Sequence, residues 1–256
     1  MTKHAFKPLH LQFDAGFGVT AESFHEAAKT IDTSEFQFGF GRNRSRLPVD
    51  YLYRHAIELY LKSTVTVLHR RFHSTFPQYR QDDFPLIFDG GKDKPIYSIH
   101  SVLVLFHHMN RMLEEDLPKI RAIDESCVPA IDDSDIELIE KIDSVDRSST
   151  LFRYPVTKQA DLDAKKSSFK QINPLDIGMD PITQSRKSSL GVTLFSVDKT
   201  TGEFSDAFVH DPVPMPDVTA ALRDFATKMS NVVELLLFEL MSRPDPNLGS
   251  SAIGRG

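Results

Sequence analysis

The chain has 256 residues, 40% hydrophobic and 26% charged, which is enough apolar material for a sizeable core and unlike a disordered composition. A single cysteine, Cys127, excludes an internal disulfide framework and a thiolate zinc cluster. The net charge of −6 argues against bulk attraction to nucleic acid, and no apolar run reaches membrane-spanning length. With His4 and Lys7 but no hydrophobic segment near the start, the expected setting is cytoplasmic.

In chain order, Thr20 can cap a short helix carrying Phe24, Ala27, Ala28 and Ile31 on one side. Gly39, Gly41 and the arginine-rich stretch through Arg46 read as an exposed connector, so residues 1–47 are expected to form an N-terminal arm. Pro48 fits the first turn of the next helix, where its missing N–H costs nothing. That helix is predicted from about 48 to 72, because Val49, Leu52, Ala56, Leu59, Ser63 and Val67 recur every three or four residues. On another face Arg54, Glu58 and Lys62 stand four apart and are expected to form a surface ion-pair ladder. The β-branched run Thr64–Val67 weakens helix propensity, so packing must hold the later turns.

Residues 74–97, with three prolines and Gly90-Gly91, read as a long loop pinned to the core by Phe84, Leu86, Ile87 and Phe88. A second helix is predicted over 98–117, with the stripe Ile99, Val102, Phe106, Met109 and Leu113; Pro118 is compatible with a stop or a kink. Ser134 and Glu137 make a capping box for a third helix with Ile136, Ile139, Ile142 and Val145 on its face. The polar stretch 156–190 reads as loop or insertion, and 192–209 as a β-hairpin turning at Gly202. The strongest helix signal is the last, 216–241. Val218, Leu222, Phe225, Met229, Val232, Leu236 and Leu240 keep a near-heptad rhythm over roughly 40 Å. The expected fold is mainly α, an antiparallel helical bundle over 48–242 with long loops, a small β-hairpin inserted at 156–212, and a disordered tail at 243–256.

Charge is unevenly placed. Residues 42–71 carry Arg42, Arg44, Arg46, Arg54, Lys62, Arg70 and Arg71 against Asp50 and Glu58, whereas 113–146 carry twelve acidic side chains against Lys119, Arg121 and Lys141. Either the basic region faces RNA or the two regions pack together, within one chain or across a dimer. His69 and His73 stand at i and i+4, a spacing that suits two metal ligands, but no third ligand follows at matching spacing and no metal is expected. P-loop, dinucleotide-binding and nucleophile-elbow motifs are absent, so no cofactor is expected.

Three stretches carry a family resemblance. Ala56, Glu58, Leu61 and Lys62 give an A-x-E-x-x-L-K core; His100-Ser101-Val102-Leu103 opens the next helix; Asp146 precedes Phe152-Arg153-Tyr154-Pro155. Their order and spacing, over about 48–155 and 216–241, resemble the prokaryotic HEPN superfamily. That resemblance implies a helical, dimeric protein linked to RNA cleavage or nucleotide handling, in defence, toxin or stress response. The family's ribonuclease signature is an arginine followed four to six residues later by a histidine, the pair stabilising charge and moving a proton at a phosphate. No arginine here has a histidine at that separation.

A rearranged site could be built from His100, His107 and Arg111, at i, i+7 and i+11. RNA or ligand contacts are expected from Arg42, Arg44, Arg46, Arg54, Arg153 and Tyr154. The leading expectation is thus a HEPN-like homodimer that binds RNA or a nucleotide without the usual catalytic motif. The alternatives are a non-catalytic module binding a protein partner through its apolar last helix, and a metal-independent ribonuclease of unorthodox site.

Overall fold

A computed structural model describes residues 8–33, 46–74, 82–123, 125, 129–172, 193–202, 204–211 and 213–242. The described residues are mainly helical, with six α-helices, a two-stranded hairpin and a three-stranded antiparallel sheet. Arg42, Arg44, Cys127 and the tail from 243 onward lie outside them.

Helix α1 (Phe17–Ile31) begins three residues before Thr20, and its start is set by Asp14. That carboxylate accepts from the Gly16 N–H at 2.9 Å, the Gly18 N–H at 2.6 Å and Ser63 Oγ at 2.7 Å. Gly16 sits at φ +80°, where a Cβ would also meet Leu9 Cβ at 2.7 Å, so the turn requires glycine. Ala21 and Ala28 are fully buried, which makes α1 a core element and lets it lie close to the next helix.

Helix α2 (Leu47–Leu68) is the centre of the molecule and continues as a π-helical turn, His69–His73. Between Tyr53 and Leu68 every residue except the half-buried His55 is buried, because α1, α3 and α6 surround it. Burial on every side overrides the weak propensity of Thr64–Val67: Val65 and Val67 fill the core and Thr64 Oγ1 bonds back to the Tyr60 carbonyl at 3.1 Å.

The expected loop at 74–97 contains a hairpin instead. Strands β1 (Leu86–Asp89) and β2 (Lys92–Pro95) pair antiparallel, and Gly90 and Gly91 supply the two positive-φ positions of its turn. Alternation sends Ile87 into the core and leaves Leu86 and Phe88 exposed, so Ile87 and the partly buried Phe84 do the pinning expected of all four. Helix α3 (Val102–Ile123) starts later than expected, with Ile99 buried just before it; it buries Val102, Phe106, Met109 and Leu113 of the stripe and passes through Pro118 to a buried Ile120. Pro118 and Glu114 both lie on the exposed face, where water can take up the lost bond.

Helix α4 (Asp133–Asp146) is capped two residues earlier than expected. Asp132 accepts from the Ser134 N–H at 2.9 Å, and Asp135 returns a bond to the Asp132 N–H at 2.8 Å. After α5 (Ala160–Lys166), strand β3 (Phe169–Ile172) joins the hairpin β4 (Thr193–Val197) and β5 (Phe204–His210) in the order β3-β5-β4. Helix α6 (Pro216–Ser242) closes the core on α2 and α4, burying its whole expected stripe; Phe225 meets Phe106 edge-on at 5.7 Å. Among the described residues no helix is long and apolar enough to cross a membrane.

Candidate functional site

The three motif stretches meet at Arg54, whose residue exposure is 0%. Its Nη2 donates to the His100 carbonyl at 2.6 Å and the Asp146 carbonyl at 3.2 Å, and its Nη1 reaches Glu58 Oε2 at 3.4 Å. Glu58 Oε1 accepts from Lys62 Nζ at 2.8 Å and lies 3.1 Å from His100 Nδ1. The expected surface ladder is therefore buried, because neighbouring elements cover this face of α2 as they cover the others. Burial pushes the Glu58 carboxyl up, but the His100 hydrogen bond and the charges of Lys62 and Arg54 together outweigh it and hold the group at about 2.

The flanking segments are fixed with equal care. Ser101 caps α3 by accepting from the Val104 N–H at 3.2 Å, and donates to the buried Asp143 at 2.8 Å. Asp146 Oδ1 accepts from the N–H groups of Thr150 and Leu151 at 2.7 and 2.8 Å, which turns Leu151 and Phe152 into the core. Buried Lys166 donates to the carbonyls of Leu151 and Tyr154 at 2.9 and 2.8 Å. Between these clamps Arg153 is exposed with its guanidinium 5.5 Å from the centre of the Tyr51 ring, and Tyr154 is exposed beside it.

These positions redistribute the expected site residues. Arg46 is buried and bonds Asp32 at 2.9 Å, with Asp50 at 3.9 Å, so it and Arg54 are structural cations closed to direct RNA contact. Arg42 and Arg44 lie outside the described residues. Arg153 and Tyr154 are open to a ligand. His100, with 54% of its side chain exposed, precedes α3 rather than standing on it. The nine helical steps from Val102 to Arg111 span about 14 Å at 1.5 Å each, and His100 lies two residues before that start. Within one chain, then, His100 and Arg111 cannot share a phosphate. His107 is exposed, and Arg111 Nη2 is bonded instead to His108 Nδ1 at 2.7 Å.

A second cluster is invisible in sequence. His69, His73, His108 and Arg111 line a cleft of about 420 Å³ with Glu115 and an apolar wall that includes Phe84 and Met112. His69 Nε2 lies 2.9 Å from Asp83 Oδ1, and His73 Nε2 lies 2.6 Å from Asp116 Oδ2. Each carboxylate is itself anchored: Asp83 accepts from Ser74 Oγ at 2.6 Å, and buried Asp116 accepts from Lys119 Nζ at 2.8 Å. His108 is held at about 4 by burial and by the Arg111 charge, so it is neutral at ordinary pH. Its one trace in the sequence is the pair 69 and 73 at helical spacing; their partners come from Asp83 and α3. Among the described residues no group of three or more His, Cys, Asp or Glu is arranged to hold a metal ion. Comparison with family models, curated proteins and solved structures finds no match.

Proposed function

We propose that the chain is a HEPN-like antiparallel helical bundle that binds RNA or a nucleotide, working as a homodimer in a defence, toxin or stress-response role. The observation that carries this reading is the meeting of all three motif stretches at Arg54. Residues 54–62, 100–103 and 146–155 are far apart in sequence, yet one guanidinium bonds the carbonyls of two of them from within the third. The exposed residues of the second and third stretches include His100, Arg153 over Tyr51, and Tyr154, which offer a cation and aromatic faces to a phosphate and a base.

The test is anisotropy titration of labelled RNAs and nucleotides over rising salt. Saturable, salt-dependent binding is expected, with Arg153→Glu weakening it by roughly tenfold and lowering the salt slope by about one. Tyr154→Ala is expected to cost a further stacking contribution of about 1–3 kcal/mol. No binding to any RNA or nucleotide at low salt would overturn the reading and leave a protein-binding module in its place.

A further inference from the structure

We propose that the cleft between the π-helical turn of α2, the start of the β1–β2 hairpin and the middle of α3 is a distinct binding site for a phosphate group, with Arg111, His69, His73 and His108 as its donors. It stands on other residues than His100, Arg153 and Tyr154, so it holds or fails independently of the RNA-binding reading.

The geometry fixes what each side chain can offer. A histidine whose Nε2 faces a carboxylate keeps its proton on that nitrogen. Its Nδ1 is then an acceptor in the neutral ring and a donor in the protonated one. His69 against Asp83 and His73 against Asp116 are both of this kind. An imidazolium held by an ionised carboxylate needs no further anion for its orientation, so its second N–H is available to a ligand. His108 differs. Its Nδ1 accepts from Arg111, which places its own proton on Nε2 and gives the cleft a donor at any ordinary pH. Arg111 is exposed and tethered by a neutral imidazole rather than by a carboxylate, so its charge is not cancelled at that contact.

The surroundings suit a small oxyanion attached to something less polar. The charged groups around the histidines are Asp83 and Arg70 beside His69, Asp116 and Lys119 beside His73, and Arg111 and Glu115 on α3. Three cations thus stand against three carboxylates, and protonation of His69 and His73 tips the balance positive. Phe84, Pro85, Leu86 and Met112 form the apolar side, and the cleft volume of about 420 Å³ is within the range of small-ligand sites. Binding of an anion that accepts from both imidazolium rings should therefore draw in protons, and its affinity should rise as pH falls.

Calorimetric titration with sulfate, whose charge is constant over pH 5.5–8, tests this. The expected result is saturable binding at pH 5.5, at least tenfold weaker at pH 8. Arg111→Gln should weaken it by roughly ten- to a hundredfold, the value of one charge-assisted hydrogen bond. His69→Gln with His73→Gln should abolish the pH dependence, while Arg121→Gln, on the same helix but exposed and away from the cleft lining, should leave binding unchanged. Repeating the titration with adenosine monophosphate and with a short single-stranded RNA separates the sources. Tighter binding of the mononucleotide alone assigns a nucleotide, and tighter binding of the RNA alone assigns a strand. No saturable sulfate binding at pH 5.5, or binding equal in wild type and Arg111→Gln, would overturn the proposal, whatever Arg153→Glu does to RNA binding.

Discussion

Two regions of one helix, α2 with its continuation, use charged side chains in opposite ways. In the middle turns Arg54, Glu58 and Lys62 are buried and satisfy one another and three carbonyl groups from outside the helix. At the end of α2, His69 and His73 border an open cleft, each with one nitrogen engaged by an anchored carboxylate. A buried ion cluster cannot rearrange for a ligand without leaving charges in a low-dielectric interior, so it works as architecture. His69 and His73, with side chains 20% and 32% exposed, stay within reach of a ligand in that cleft. Charge alone thus does not mark a site; the number of partners each charge already has, and its access to solvent, decides the role.

The sharpest way to break this comparison is at Arg54. Arg54→Met should cost about 3–5 kcal/mol in urea denaturation, since it strips the His100 and Asp146 carbonyls of a buried donor and leaves Glu58 with Lys62 and His100. A loss under about 1 kcal/mol would mean that the motif stretches are held together by something else.

Stability against pH separates two buried carboxylates next. Glu58 is held at about 2, below its ordinary 4.5, so its contribution is present above 4.5 and lost as pH falls toward 2. Asp50 has the opposite sign. Burial, despite Arg46 and the Thr219 hydroxyl, pushes it up to about 6, so its contribution is present below about 3.8 and lost as pH rises through 6. Each is worth on the order of 2–3 kcal/mol across its window. Asp50→Asn should flatten the stability curve between pH 4 and 6, and an unchanged curve there would remove the assignment.

At the small end, Arg111→Gln and Arg153→Gln should each change stability by less than about 0.5 kcal/mol, as exposed side chains do. A large loss at either would make it a structural residue and not a candidate ligand contact.

Much of the fold was legible because burial writes a period into the chain. The stripes of α2, α3 and α6 and the hairpin at Gly202 follow from spacing and turn chemistry alone. The hairpin at Gly90-Gly91 is masked by nearby prolines that read as loop and by the polar Lys92-Asp93-Lys94 strand, although a Gly-Gly pair also suits a two-residue turn. Burial of the ladder was illegible for a different reason: charges four apart on a helix look the same whether water or another helix covers them. The histidine cleft is hidden because 69 and 73 find their partners at 83 and 116, and share the cleft with the 108–111 pair, positions that only the packed chain brings together.

The most direct test of the central contrast is urea denaturation of Glu58→Gln at pH 7 beside Arg111→Gln and wild type. The substitution is nearly isosteric but leaves Arg54 and Lys62 buried without their counter-ion. A loss of about 3–5 kcal/mol for Glu58→Gln, with Arg111→Gln within about 0.5 kcal/mol of wild type, is the expected result. A Glu58→Gln protein within about 1 kcal/mol of wild type would contradict the account, because Arg54, Glu58 and Lys62 would then not be what holds the three stretches together.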